Sequence, residues 1–156
     1  VFTNNSKAGV IERCNRLAIP LYCFNRNAFN DPKGLLELLC FLNPDLIVLA
    51  GFLWKIPPMF VEAFPEKIIN IHPALLPKFG GKGMYGSRVH EAVVENKEAE
   101  SGITIHYVNE AYDEGSIIFQ KSISITPEDT AEDVAHKIHE LEYRYFPEVI
   151  ESLLFS

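Results

Sequence analysis

Hydrophobic positions along the chain change period several times, and each change marks an element. Val10, Ile11, Cys14 and Leu17 recur at helical steps, so Ala8 to Leu17 predicts a helix. Short apolar runs at Val1 to Thr3 and Ile19 to Phe24 read as strands, with turn chemistry at Asn4-Asn5-Ser6. Asn30-Asp31-Pro32 opens a second helix, with Asp31 as N-cap and Pro32 as first helical residue. Leu35, Leu36, Leu38, Leu39 and Leu42 make that helix strongly apolar, and Asn43-Pro44-Asp45 ends it.

Leu46 to Ala50 is continuously apolar and bounded by turn residues, the pattern of a strand buried on both faces. Pro57-Pro58 opens a short helix through Phe64, Pro65 stops it, and Lys67 to Ile71 is another buried strand. Pro73 to Gly86 is a long loop rich in Pro and Gly, followed by a helix over Ser87 to Glu95. Gly102 to Val108 and Ser116 to Ile125 read as strands. Thr130 starts a last helix, with Val134, Ile138, Leu141, Tyr145, Val149 and Leu153 at helical steps and a kink expected at Pro147. Strand and helix alternate, which predicts the α/β class, a mostly parallel sheet with helices on both faces. No repeat, low-complexity segment or boundary interrupts residues 1–156, so one domain is expected.

Composition narrows the function classes. At 47% hydrophobic and 22% charged, the chain has enough apolar material for a core. Its longest apolar run falls well short of the roughly 20 residues of a membrane span, and no charged-then-apolar leader is read at its front. A formal charge of −7 disfavours general binding of nucleic acid or anionic membrane, which needs clustered Lys and Arg. A small anionic substrate stays open, because helix N-termini and backbone N–H groups hold phosphate without net positive charge. Cys14, Cys23 and Cys40 match no zinc spacing and read as reduced, buried thiols of a cytosolic protein.

Ligands of open α/β sheets bind beyond the carboxyl ends of the strands, so residues there carry the candidate chemistry. Asn70 and His72 lie two apart at a strand end, hence on one face, where an amide and an imidazole can polarise one carbonyl. A polar strand end with a capped turn is the plainer alternative. Asp113, in Tyr112-Asp113-Glu114-Gly115, is either turn chemistry or a carboxylate that orients His72. Thr104 and His106 share another strand face, either as satisfied strand residues or as part of a site. His136 and His139 are three apart, without the i, i+4 pair and third ligand of a zinc helix, so no metal is expected. Neither a phosphate loop ending in Gly-Lys-Ser nor a Gly-x-Ser-x-Gly elbow is present, and Gly80-Gly81-Lys82-Gly83 suits a substrate loop.

Together these segments resemble the folate-dependent formyltransferases. Asn70-Ile71-His72-Pro73-Ala74-Leu75-Leu76-Pro77 is similar to the signature of that family. The loop Lys78 to Gly86, the segments Ser101 to Val108 and Asp113 to Gln120, and Ala50-Gly51-Phe52-Leu53 are similar too, so the likeness runs along essentially the whole chain. It implies a Rossmann-like fold and an enzyme that moves a formyl group from 10-formyltetrahydrofolate, a co-substrate, to the amine of glycinamide ribonucleotide in purine synthesis. It also implies a catalytic trio of Asn70, His72 and Asp113. The folate site would include Leu53, Trp54, Lys55 and Ile56, the loop Asn109, Glu110, Ala111, Tyr112 and Asp113, and Asn70 itself. The glycinamide substrate would fall on His139, Glu140, Leu141 and Glu142. A cytoplasmic enzyme of small molecules is expected, with no nucleic-acid or membrane partner and its oligomeric state open. The chain opens inside an apolar segment, and the family's first strand and glycine-rich turn, about 30 residues, are expected ahead of it. Formyltetrahydrofolate deformylase, methionyl-tRNA formyltransferase and a non-catalytic folate-binding remnant are the alternatives.

Overall fold

In the computed structural model, residues 1–155 are described, and the chain divides into two units, residues 1–44 and 45–156. The first unit opens with β1 (Phe2–Thr3), α1 (Val10–Leu17) and β2 (Tyr22–Cys23). β1 and β2 are parallel, with Phe2 opposite Tyr22 and Thr3 opposite Cys23. Ala18 closes α1 in the left-handed conformation, its N–H bonded to the Asn15 and Cys14 carbonyls.

α2 (Arg26–Asn30), a wide helical turn over Pro32–Leu36, and α3 (Glu37–Leu42) complete the unit. Asn25 caps α2 by accepting from Ala28 N–H, and Asp31 accepts from Lys33 N–H as expected of an N-cap. The single helix expected after Asp31 is broken by Gly34, whose backbone is non-helical. Leu35 and Leu39 are buried, whereas Phe41 and Leu42 are exposed. Cys14 is buried, but Cys23 and Cys40 are exposed free thiols, which corrects the expectation of buried cysteine. Cys40 follows the buried Leu39 by one residue, about 100° around the helix, and so faces away from it.

The second unit is built on β3 (Ile47–Leu49), β4 (Ile68–His72), β5 (Glu100–Tyr107) and β6 (Ile117–Ser124), hydrogen-bonded in that order. β3 and β4 are parallel; β4, β5 and β6 are successively antiparallel. α4 (Pro58–Ala63), α5 (Ser87–Glu95) and α6 (Ala131–Phe155) fill the connections and the end of the chain. β3 was expected to be buried on both faces, yet Val48 is 38% exposed. β3 ends the order of its sheet.

Alternation divides the central strands between two tasks. Ile69 and Ile71 of β4 and Ile103 and Ile105 of β5 enter one core with Val134 and Ile138 of α6. The intervening Asn70, His72, Thr104 and His106 therefore project from the opposite face. α6 starts where Thr130 and Asp133 cap one another: Thr130 N–H and Oγ1 donate to Asp133 Oδ2 at 2.9 and 2.6 Å, and Asp133 N–H donates to Thr130 Oγ1 at 3.2 Å. No helix among the described residues is long and apolar enough to cross a membrane.

Candidate active site

The polar face of β4 and β5 opens into a cavity of about 740 Å³ within the second unit, a size suited to a small organic ligand. The antiparallel register sets Asn70 opposite His106 and His72 opposite Thr104. The pairing of β5 with β6 shifts between Ile105 and His106, where Ile118 of β6 is the extra, unpaired residue, and such bulges are common beside sites. His106 Nδ1 lies 2.9 Å from the Tyr107 carbonyl, which only accepts, so Nδ1 carries the proton. In the neutral ring Nε2 is then an acceptor, and Asn70 Nδ2 donates to it at 3.2 Å. This assigns the Asn70 amide from its network and leaves its second N–H free of His106.

His72 is 3% exposed. Its Nε2 donates to the Phe79 carbonyl at 2.8 Å, and its Nδ1 lies 3.6 Å from Asp113 Oδ2. Burial lowers the His72 pKa below the ordinary 6.5, outweighing the raising effects of Asp113 and the Phe79 carbonyl. The free protein at neutral pH thus holds a neutral His72.

Asp113 stands between two imidazoles, with His106 Nε2 at 3.6 Å from Oδ1, and accepts the Gly81 N–H on Oδ2 at 2.9 Å. Burial alone pushes its pKa up, but His106, the Gly81 N–H and His72 together bring it below the ordinary 3.8. Asp113 is therefore an anion, at φ 56°, a left-handed conformation that Asp tolerates better than most residues. Two residues on, Gly115 passes so close to β5 that a Cβ there would stand 1.7 Å from the Tyr107 carbonyl oxygen. Only glycine lets this turn lie against β5.

The expected residues distribute unevenly. Asn70, His72 and Asp113 all line the cavity, as do Leu53 and Tyr112 of the expected folate residues. Trp54, Lys55, Ile56, Asn109, Glu110 and Ala111 do not line it. Ile56 is buried, and Lys55 Nζ sits 5.8 Å from the centre of the Tyr112 ring. Trp54 is edge-on to Phe52, a cavity residue, at 6.0 Å. Asn109 Oδ1 accepts the Ala111 N–H at 2.9 Å and so shapes the turn before Asp113.

On α6, His139 and Glu142 line the cavity, while Glu140 is exposed and Leu141 packs against the core. Helical geometry explains the split, because residues three apart share a face and those between them do not. Burial raises the Glu142 pKa above 4.5 against a smaller opposing effect of His139.

Residues outside the expected set also belong to the wall. His90 of α5 is 5% exposed, its ring edge-on to His139 at 6.4 Å and its buried Nδ1 without a hydrogen-bond partner. Burial, then His139, lowers its pKa. The sequence left His106 open, with Thr104, as either a satisfied strand residue or part of a site; it does not line the cavity but meets Asn70, which does. What joins it to Asn70 is the cross-strand register, which a two-residue spacing does not reveal. No group of three or more His, Cys, Asp or Glu side chains among the described residues is arranged to hold a metal ion.

A strand-borne amide and imidazole and a carboxylate thus meet on one cavity, and the chain matches the formyl transferase family over residues 1–150. The chain belongs to that family and has the Rossmann-like α/β fold expected of it. It is 40% identical over 156 residues to phosphoribosylglycinamide formyltransferase, chloroplastic, of Arabidopsis thaliana, a match covering 97% of this chain and 53% of that protein. The Bacillus subtilis phosphoribosylglycinamide formyltransferase is 38% identical over 152 residues, covering 95% of this chain and 75% of that one. The crystal structure of the Streptococcus pneumoniae phosphoribosylglycinamide formyltransferase superposes with a TM-score of 0.88 at 34% identity, covering 99% of this chain and 85% of that one. The chain spans about half the length of the two plant relatives, 53% and 50%.

Proposed function

We propose that this chain transfers a formyl group from 10-formyltetrahydrofolate to the amine of glycinamide ribonucleotide, in purine biosynthesis, and that residues 1–156 serve as one formyltransferase domain. The observation that carries the reading is the convergence of Asn70, His72 and Asp113 on a single cavity. The names of the relatives in three bacterial and plant species support the choice of substrate. The cavity's volume and its mixture of apolar wall and few polar groups suit a folate-sized ligand.

The folate supplies a formyl carbonyl, an electrophilic carbon whose oxygen gains negative charge when the amine attacks. Asn70 presents the N–H not used by His106 to that oxygen. His72 Nε2 carries the other donor, which turns from the Phe79 carbonyl to the substrate. Preorganised donors of this kind are effective because they need no reorganisation as charge develops. Asp113, an anion beside His72 Nδ1, orients the ring and takes the proton released by the amine; the tetrahedral adduct then collapses, the bond from the formyl carbon to N10 breaks, and N10 takes up that proton as tetrahydrofolate leaves. Glu142 and His139 are assigned to the glycinamide substrate, and Leu53, Asn70, Tyr112 and Asp113 of the expected folate residues to the folate.

The reading includes a cytoplasmic setting, which the free thiols fit, and small-molecule partners rather than nucleic acid, which the charge of −7 fits. The test is a transfer assay with both substrates. Amine-dependent release of tetrahydrofolate upholds the reading. Release without the amine indicates hydrolysis of the donor instead, and no release with folate still bound indicates a binding protein.

A further inference from the structure

We propose that Gln120 of β6 is a positioning residue for His72 and Asp113, acting through the loop that leaves β4; the inference rests on the catalytic roles proposed above for those two residues. His72 ends β4, and the chain then runs out and returns to place the Phe79 carbonyl on His72 Nε2 and the Gly81 N–H on Asp113 Oδ2, at 2.8 and 2.9 Å. Both contacts set the proton affinity of a site residue, and both come from backbone atoms. No side-chain group at Phe79 or Gly81 makes them; the path of the loop does, with Gly81 at φ 91°.

That path is tied at its start. Gln120 Nε2 donates to the Leu76 carbonyl at 3.0 Å and to Thr104 Oγ1 at 2.9 Å, so both its amide protons are used. Thr104 Oγ1 also accepts the Leu76 N–H at 3.0 Å and donates to the Ala74 carbonyl at 2.7 Å, which saturates the hydroxyl. Leu76 is thus held at both its N–H and its carbonyl by one side chain from β5 and one from β6.

The hold passes from Leu76 to the site by contact. A Cβ on Gly80 would stand 2.5 Å from Leu76 Cδ2 and 3.4 Å from Asp113 Cβ, so Leu76, Gly80 and Asp113 are in direct succession. Gly80 lies between the two residues whose backbone atoms meet His72 and Asp113. Shifting Leu76 therefore shifts both contacts together. Thr104 is fully buried inside the sheet, whereas Gln120 is largely exposed, so Gln120 can be changed without opening the core.

The test compares the wild-type chain with Gln120→Leu, which keeps the side chain's bulk and loses both donors, and with Gln120→Glu, which sets an oxygen against the Leu76 carbonyl. NMR titration of the His72 ring and the Asp113 carboxyl is read in each, beside turnover and thermal melting. Loss of the Phe79 contact is expected to lower the His72 pKa further, and loss of the Gly81 contact to raise that of Asp113. Turnover is expected to fall about tenfold with KM for folate held within about twofold. Unchanged titrations overturn the proposal, whether or not the melting temperature moves, because a merely structural residue alters melting alone. The titrations decide the point even where transfer is absent, and Asp113→Asn with wild-type turnover would defeat the catalytic reading while leaving the loop measurement intact.

Discussion

Asn70 and His106 face one another across β4 and β5, with Asn70 Nδ2 donating to His106 Nε2 at 3.2 Å. Because the Tyr107 carbonyl takes the Nδ1 proton of His106, the strand itself decides which way the Asn70 amide points. On the proposed reading, His106 fixes the Asn70 amide so that its other N–H is left to the cavity.

Asn70→Ala removes that donor and leaves the sheet intact. Turnover is expected to fall by about 10²–10³-fold, the usual cost of deleting one oxyanion donor, with folate binding preserved. His106→Phe is expected to give a smaller loss, since it frees the Asn70 amide to turn rather than deleting it. Steady-state kinetics on both variants check the order. A larger loss for His106→Phe than for Asn70→Ala would assign the direct contact to His106.

Asp113→Asn keeps the side chain's shape and removes its charge. Folate binding is expected to persist, and turnover to drop at least about tenfold, a floor below the roughly 10²–10⁴-fold usual for a placed proton-transfer group. Equilibrium binding and single-turnover rates separate the two effects. Near-normal single-turnover rates would take Asp113 out of the mechanism.

The site was readable where chemistry follows chain order and unreadable where it follows pairing. Asn70 and His72 were found because a strand puts alternate residues on one face. Asp113 was found as a turn residue after a strand. His106 needed the register of two antiparallel strands, and Gly81 and Phe79 contribute backbone atoms that any residue type carries. On α6 the expected stretch was continuous, His139 to Glu142, but a helix shows the cavity only its first and last members. In the first unit, Gly34 breaks a run of leucines that reads as one helix, because local apolar density does not record backbone torsions.

The neutral state of His72 sets a pH dependence. Burial, outweighing Asp113, holds its pKa below 6.5, so kcat/KM is expected to be flat above about neutral pH and to decline on acidification through a value below 6.5. The rate profile of the free protein reports that group directly. A rate that climbs as pH falls from about 8 to about 6 would show that the imidazolium is the working form. The same shift makes a stability statement. The folded pKa is depressed, so the unfolded chain binds the proton first as pH falls. The contribution of His72 is present above the unfolded value and is lost as pH drops through the folded one. Urea unfolding of His72→Gln is expected to show a shallower loss of stability over that window than wild type.

Gly115 gives the last prediction, which concerns the turn that carries Asp113. A methyl group at this position would stand 1.7 Å from the Tyr107 carbonyl oxygen, against backbone rather than a movable side chain. Tyr107 N–H is itself bonded to the Ser116 carbonyl at 2.9 Å, so the two segments cannot separate without losing that bond. Gly115→Ala is therefore expected to destabilise the fold by about 1–3 kcal/mol, the usual cost of overpacking, and to displace Asp113 two residues away. The urea midpoint should fall, and turnover should fall in the population that remains folded. An unchanged midpoint with full turnover would mean that the turn relaxes freely, and that Asp113 is held by the Gly81 N–H rather than by the approach of Gly115 to β5.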